Sequence, residues 1–292
     1  MPKPRFGRLI PAMITPFDSD LKLDLDTAQK LAVRLIEGGS DSLIISGTTG
    51  ESPTITRAEK IALFKAVVEA ADGKAPVIAN VGGNCTAESV DLALEVQNLG
   101  VDGFMTVVPY YNKPPQEGLY AHFKTIAQAV DLPIILYNIP GRCVVNMTAE
   151  TTLRLAREFD NIVAVKEASG KLDQVKEIVE GFSVYSGDDA ATLDIMGLGG
   201  VGVISTIANV APERMKEIVS LAAEGKADEA REANERLMPL MKGLFKTANP
   251  ILVKEALKLG GFPVGGVRLP LVDATPEQSE RLAGIMKEVG VL

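Results

Sequence analysis

The chain has 292 residues, 46% of them hydrophobic and 23% charged, with no Trp, one His and two Cys. Its 30 Lys and Arg against 38 Asp and Glu leave a net charge of −8, which excludes bulk electrostatic attraction to nucleic acid or anionic membrane. The apolar fraction excludes disorder, no uncharged apolar run approaches the roughly 18 residues of a membrane helix, and the single His122 excludes most histidine-based metal sites, so no metal is expected. The start, MPKPRFGRL, has charges but no apolar core, so no secretory signal is expected. Cys85 and Cys143 are too few for a disulfide scaffold, which points to a reducing, cytoplasmic setting.

Along the chain, short β-branched runs alternate with segments of helical period. The runs are LIPAMI (9–14), SLIIS (42–46), PVIANV (76–81), GFMTVV (103–108), PIILYNI (133–139), NIVAVK (161–166), FSVYS (182–186) and VGVIST (201–206). They are apolar almost throughout, as strands buried on both faces are. Between them, residues 57–71, 88–100 and 117–130 repeat apolar positions at three and four. Thr56-Arg-Ala-Glu59 reads as a capping box, and Gly38-Gly39, Gly73, Gly100 and Gly181 stand where helices stop. Eight strand–helix units predict a (β/α)8 TIM barrel with right-handed parallel crossovers. An open doubly wound sheet is the competitor, but the Gly-rich first turn it uses is absent. Residues 212–292 show helical period only, with Thr275-Pro276-Glu277-Gln278 as a capped start. The expected division is therefore a barrel over 1–211 and a C-terminal helical subdomain over 212–292.

Such barrels place chemistry at the C-terminal ends of their strands, so the residues closing each apolar run are the candidates. Lys166 ends the sixth run. A lysine in a barrel mouth loses charge to desolvation and becomes a nucleophile toward carbonyls, capable of a Schiff base. Position alone equally allows a structural ion pair with Glu167 or Glu51. Tyr137 ends the fifth run and can move protons, or can be a core tyrosine with a satisfied hydroxyl. Thr48 and Thr49 sit in a Gly-flanked turn suited to a carboxylate, or to ordinary turn capping. Arg142, after Pro-Gly, can clamp a carboxylate in bidentate fashion or form a surface pair. Asp188 and Asp189 read as N-caps of a segment starting near Ala190 rather than as metal ligands. The stretch 197–202, Gly-Leu-Gly-Gly-Val-Gly, precedes a strand, so a dinucleotide reading fails. His122 sits mid-helix and is expected to be structural.

Taken in order and spacing, the blocks GTTGES (47–52), PYYNKPPQEGLYAHF (109–123), LYNIPGR (136–142), VKEASG (165–170), YSGDDA (185–190) and GVISTIANVAPE (202–213) resemble the dihydrodipicolinate synthase family of pyruvate-dependent class I aldolases, relatives of N-acetylneuraminate lyase. The resemblance runs from about Leu9 to the C-terminus. It implies a lyase of lysine and diaminopimelate biosynthesis that condenses pyruvate with L-aspartate 4-semialdehyde. Lys166 is the implied Schiff-base lysine, so no separate cofactor is needed. Tyr137, Thr48 and Tyr111 are the implied proton relay, with the tyrosine matching Tyr111 supplied by a neighbouring subunit. Thr49, Gly187 and Ile204 are implied to hold pyruvate, and Arg142 the semialdehyde carboxylate. A homotetramer built as a dimer of dimers is implied.

The positions that match the effector pocket for free lysine of sensitive family members, as the resemblance implies, are Ser52, Asn84, Glu88 and Tyr110, alongside Pro53, Arg57 and Lys60. The last two are fixed cations that weaken binding of a cation, so weak or absent lysine inhibition is expected. Cys143 departs from the family's usual Thr and is expected to alter packing beside Arg142 more than chemistry. The alternatives are a lyase of N-acetylneuraminate or another sugar acid, which share the lysine and tyrosine but generally lack the PGR turn, and a non-catalytic keto-acid-binding barrel, which would not need Lys166 and Tyr137.

Overall fold

A computed structural model describes residues 4–292. Eight parallel strands run β1 (Leu9–Pro11), β2 (Leu43–Ile45), β3 (Val77–Asn80), β4 (Gly103–Val107), β5 (Ile134–Asn138), β6 (Ile162–Glu167), β7 (Val184–Ser186) and β8 (Gly202–Ser205). Seven lie inside an apolar run, and β6 runs one residue past its own, to Glu167. Neighbours in sequence are neighbours in the sheet, β1 also pairs with β8, and an Ala12–Ile44 bridge joins the β1 and β2 edges, so the sheet curls into a barrel.

Side-chain alternation divides the core in two. Ile10, Ile44, Ile78, Met105, Ile135, Tyr137, Ala164, Tyr185 and Ile204 fill the barrel interior. The opposite parity, such as Leu43, Phe104, Leu136, Val165 and Val203, packs under the surrounding helices. Lys166 shares the parity of Ala164, so β6 aims it into the barrel.

The helix signals hold where they were strongest. The helix Arg57–Ala71 has its Thr56–Glu59 capping box, and Pro276–Glu288 has the box of Thr275 and Gln278 with Pro276 in its first turn. Gly73 and Gly100 adopt φ of +69° and +88°, the left-handed conformation that ends a helix without a Cβ clash. The helix Pro212–Ala223 packs on β1 and on Thr192–Gly197, and so closes the ring that the barrel's helices form. The expected boundary at 211/212 falls just ahead of it. Beyond the ring, Pro276–Glu288 packs on both Ala227–Gly243 and Ile251–Leu259. No helix among the described residues is long and apolar enough to cross a membrane.

Between the last two helices the chain returns to the barrel mouth. Phe17 N–H donates to the Val264 carbonyl at 3.0 Å, and the Arg268 guanidinium meets Glu59 at 2.6 Å. Pro270 and Leu271 are thereby placed over the strand ends.

Candidate active site

Tyr137, Lys166 and Tyr185 lie side by side in register on β5, β6 and β7. The Lys166 side chain is buried, with Nζ 4.3 Å from the centroid of the Tyr137 ring. Burial, with a smaller push from the Arg142 guanidinium and against the pull of Asp189, lowers its pKa to about 8. The two structural pairings that position alone allowed are not made. Glu167 accepts from Asn138 Nδ2, Ser169 N and Gln174 Nε2 at 2.8–3.2 Å, and Glu51 pairs with Lys254 Nζ at 2.6 Å.

Tyr137 is buried, which pushes its hydroxyl up to about 12, while a hydrogen bond with Thr48 and the Arg142 charge oppose that rise. Above it opens a cavity of about 300 Å³ whose walls include Thr48, Asn80, Tyr110, Tyr137, Arg142 and Asn249. Arg142 is exposed on the short helix Pro140–Cys143 at the rim. Behind it, Cys143 Sγ donates to the Val108 carbonyl at 3.1 Å, and burial raises this thiol to about 11. The thiol therefore ties the helix to the end of β4 and is a poor nucleophile. Gly187 lies against the lysine: a Cβ there would stand 3.2 Å from Lys166 Cε.

The structure thus brings together Lys166, Tyr137, Thr48, Arg142 and Gly187. Ile204 is in the barrel interior, and Thr49 is buried with its hydroxyl engaged by Asn249 and Thr206. Tyr111 stands apart, 89% exposed with φ +75°, a costly conformation for a bulky residue. Ser52 and Tyr110 line the cavity, while Asn84 donates from Nδ2 to the Tyr110 carbonyl and Glu88 is exposed beside it.

Two readings need correction. Asp188 does cap the turn at Ala190, but Asp189 does not. Its buried carboxylate turns inward and accepts from Ser205 Oγ, Thr206 N and Ile207 N, and burial raises it to about 6. Arg57 is not a free cation: it is 2.7 Å from Glu95, so only Lys60, whose pKa burial lowers, keeps an uncompensated charge in that group. His122 is structural, as expected: buried, its Nδ1 2.9 Å from Thr86 Oγ1 and its pKa held down near 4.

Sequence reasoning missed Asn249 and Lys254. Asn249 Nδ2 donates to Thr49 Oγ1 at 2.9 Å across a separation of 200 residues. Neither residue carries a local signal, since each stands in a segment whose only pattern is helical.

The chain matches, over residues 5–289, the model of the dihydrodipicolinate synthetase family. It is 55% identical to the 4-hydroxy-tetrahydrodipicolinate synthase of Moorella thermoacetica, covering 99% of this chain and 100% of that one. It is 54% identical to 4-hydroxy-tetrahydrodipicolinate synthase 1 of Halalkalibacterium halodurans, covering 94% and 95%. Among solved structures, it matches the DHDPS of Cyanidioschyzon merolae with lysine bound at a TM-score of 0.98, with 46% identity over 99% of this chain and 100% of that one. The dihydrodipicolinate synthase of Aquifex aeolicus gives a TM-score of 0.95, with 44% identity over 97% and 98%.

Proposed function

The chain belongs to the dihydrodipicolinate synthetase family, and on that premise we propose that it condenses pyruvate with L-aspartate 4-semialdehyde to 4-hydroxy-tetrahydrodipicolinate. The observation that carries the mechanism is Lys166, a buried amine of lowered pKa, unpaired with either neighbouring acid and set against a buried phenol.

The free amine of Lys166 attacks the keto carbon of pyruvate, and the carbinolamine loses water to give an iminium. Loss of a methyl proton gives the enamine, which forms the new carbon–carbon bond to the aldehyde carbon of the semialdehyde. The semialdehyde's own amine then attacks the iminium carbon, closes the ring and releases Lys166. Tyr137, hydrogen-bonded with Thr48, carries protons to and from these intermediates. Tyr111 completes the relay from a neighbouring copy, a reading supported by its exposure and strained backbone. Thr49, Gly187 and Ile204 hold the pyruvate end, and Arg142 binds the semialdehyde carboxylate at the rim.

The catalytic unit is the barrel, residues 1–211, closed by the helix Pro212–Ala223, and the working assembly is a homotetramer of two dimers. The setting is cytoplasmic, supported by two unbridged cysteines. Inhibition by free lysine is weak or absent, supported by the uncompensated Lys60; half-inhibition by submillimolar lysine would overturn that part.

Product formation tests the whole reading. The purified chain should consume pyruvate only when the semialdehyde is present and should leave N-acetylneuraminate intact. Cleavage of the sialic acid with no condensation would make it a sugar-acid lyase instead.

A further inference from the structure

The turn carrying Thr48 and Thr49 is clamped from outside the barrel. Glu51 has φ +54° and is buried, with its side chain 1% exposed. Its Oε1 is 2.6 Å from Lys254 Nζ, equally buried, and its Oε2 accepts from Arg268 N at 3.0 Å. The ammonium also donates to the Gly266 carbonyl at 2.7 Å and lies 4.0 Å from the Phe17 ring centroid. Two residues back, Thr49 Oγ1 accepts from Asn249 Nδ2 at 2.9 Å. Asn249 is 7% exposed, lines the cavity, and has a buried Oδ1 without a hydrogen-bond partner. Every one of these clamps comes from residues 249–268, beyond the eighth barrel helix.

A buried ion pair is a poor device for stability, because a neutral pair of like volume often serves as well or better. What it does well is fix one geometry: a carboxylate held between an ammonium and a backbone N–H cannot slide, and a strained left-handed residue persists only where its surroundings hold it. The fixed geometry here is that of two hydroxyl-bearing residues, of which Thr48 is hydrogen-bonded with the Tyr137 phenol. Thr49's hydroxyl is also 3.4 Å from that of Thr206, whose amide bonds Asp189, so the clamp continues around the strand ends.

We propose that Glu51, Lys254 and Asn249 are positioning residues for the keto-acid end of the site, through which the C-terminal segment sets the Thr48–Thr49 turn. The inference rests on the Schiff-base reading above and adds to it a task for the helices outside the barrel. Arg142, on the short helix Pro140–Cys143 after β5, takes no part in the clamp's hydrogen bonds. Disturbing the clamp should therefore weaken pyruvate binding and leave the second substrate untouched.

The test compares full-length wild type with Glu51→Gln/Lys254→Met, with Asn249→Ala, and with Glu59→Gln as a control. Glu59→Gln weakens the ion pair of the Arg268 guanidinium while leaving the Arg268 backbone amide in place to donate to Glu51. Steady-state KM for pyruvate and for the semialdehyde, kcat, and the melting temperature are measured for each. The expected result is a pyruvate KM raised about tenfold in Glu51→Gln/Lys254→Met and several-fold in Asn249→Ala, with the semialdehyde KM within about twofold of wild type. Glu59→Gln should change the melting temperature alone.

A pyruvate KM within twofold of wild type in both clamp variants, whatever their melting temperatures, overturns the proposal and makes the pair structural. Equal rises in both KM values overturn it too. If the double variant fails to fold, Asn249→Ala, which leaves no buried charge unpaired, decides alone by the same criteria. Failure of wild type itself to form a borohydride-trapped pyruvate adduct would overturn the Schiff-base reading instead, so the two failures are distinguishable.

Discussion

Replacing Gly187 with Ala should separate a correctly placed amine from a merely present one. The added Cβ would stand 2.7 Å from Ala168 Cβ, 3.1 Å from the Glu167 carbonyl oxygen and 3.2 Å from Lys166 Cε. Ordinary carbon–carbon contact is about 3.5–4.0 Å, so something must move by roughly 1 Å. The Gly187 amide is tied to the Glu167 carbonyl at 2.8 Å, which keeps the strand end from swinging away, so Ala168 must shift to relieve the closest contact and the flexible lysine gives as well. Lys166 Cε, at 3.2 Å, needs a shift of only a few tenths of an ångström; since a full displacement of about 1 Å at a reacting group costs on the order of 100-fold in rate, this shift costs on the order of tenfold, or about 1.4 kcal/mol of barrier. The overpacking itself costs about 1–3 kcal/mol of stability. The assay is the rate of pyruvate adduct formation under borohydride, with Gly197→Ala as a control whose Cβ meets nothing within 4 Å. Trapping by folded Gly187→Ala at the wild-type rate would refute this placement of the amine.

Adduct formation should also report the amine's charge. With Lys166 at about 8, roughly a tenth of it is neutral at pH 7, against about 1 in 3000 for an ordinary lysine. Trapping should therefore rise about tenfold per pH unit below 8 and level off above it; a rise continuing to pH 10 would contradict the lowered pKa. The same burial costs stability. A folded value of about 8 against 10.5 when unfolded means the unfolded chain holds the proton more tightly between those limits. Stability contributed by this group is thus lowest below pH 8 and recovers toward pH 10.5, a swing of about 3 kcal/mol. Lys166→Met should accordingly melt higher than wild type at pH 7, with the gap narrowing as pH rises from 8 toward 10.5; a lower melting temperature at pH 7 would contradict it.

The barrel was legible because its signals are local. Runs such as PIILYNI and NIVAVK are apolar on both parities, which only a strand buried on both faces requires, and the Thr56 and Thr275 boxes mark helix starts within four residues. Lys166 and Tyr137 were legible as candidates because both come at the C-terminal ends of such runs, and the fold then gave them the inward parity of Ala164 and Ile135. The clamp was not legible, because Asn249 meets Thr49 and Lys254 meets Glu51 only after the whole barrel has closed between them. The two adjacent aspartates show the limit in miniature. Asp188 caps a turn two residues on, which sequence can foresee, whereas Asp189 reaches the amides after β8, which only the β7–β8 pairing brings near. Arg57 likewise looked free until the fold set Glu95 beside it.

The central claim is that Lys166 carries pyruvate as a Schiff base. Intact-mass measurement after borohydride treatment with pyruvate, on wild type and on Lys166→Ala, tests it most directly. The account predicts a single pyruvate-sized adduct on wild type and none on the variant. A folded wild type without an adduct, or a variant that still gains one, would contradict it.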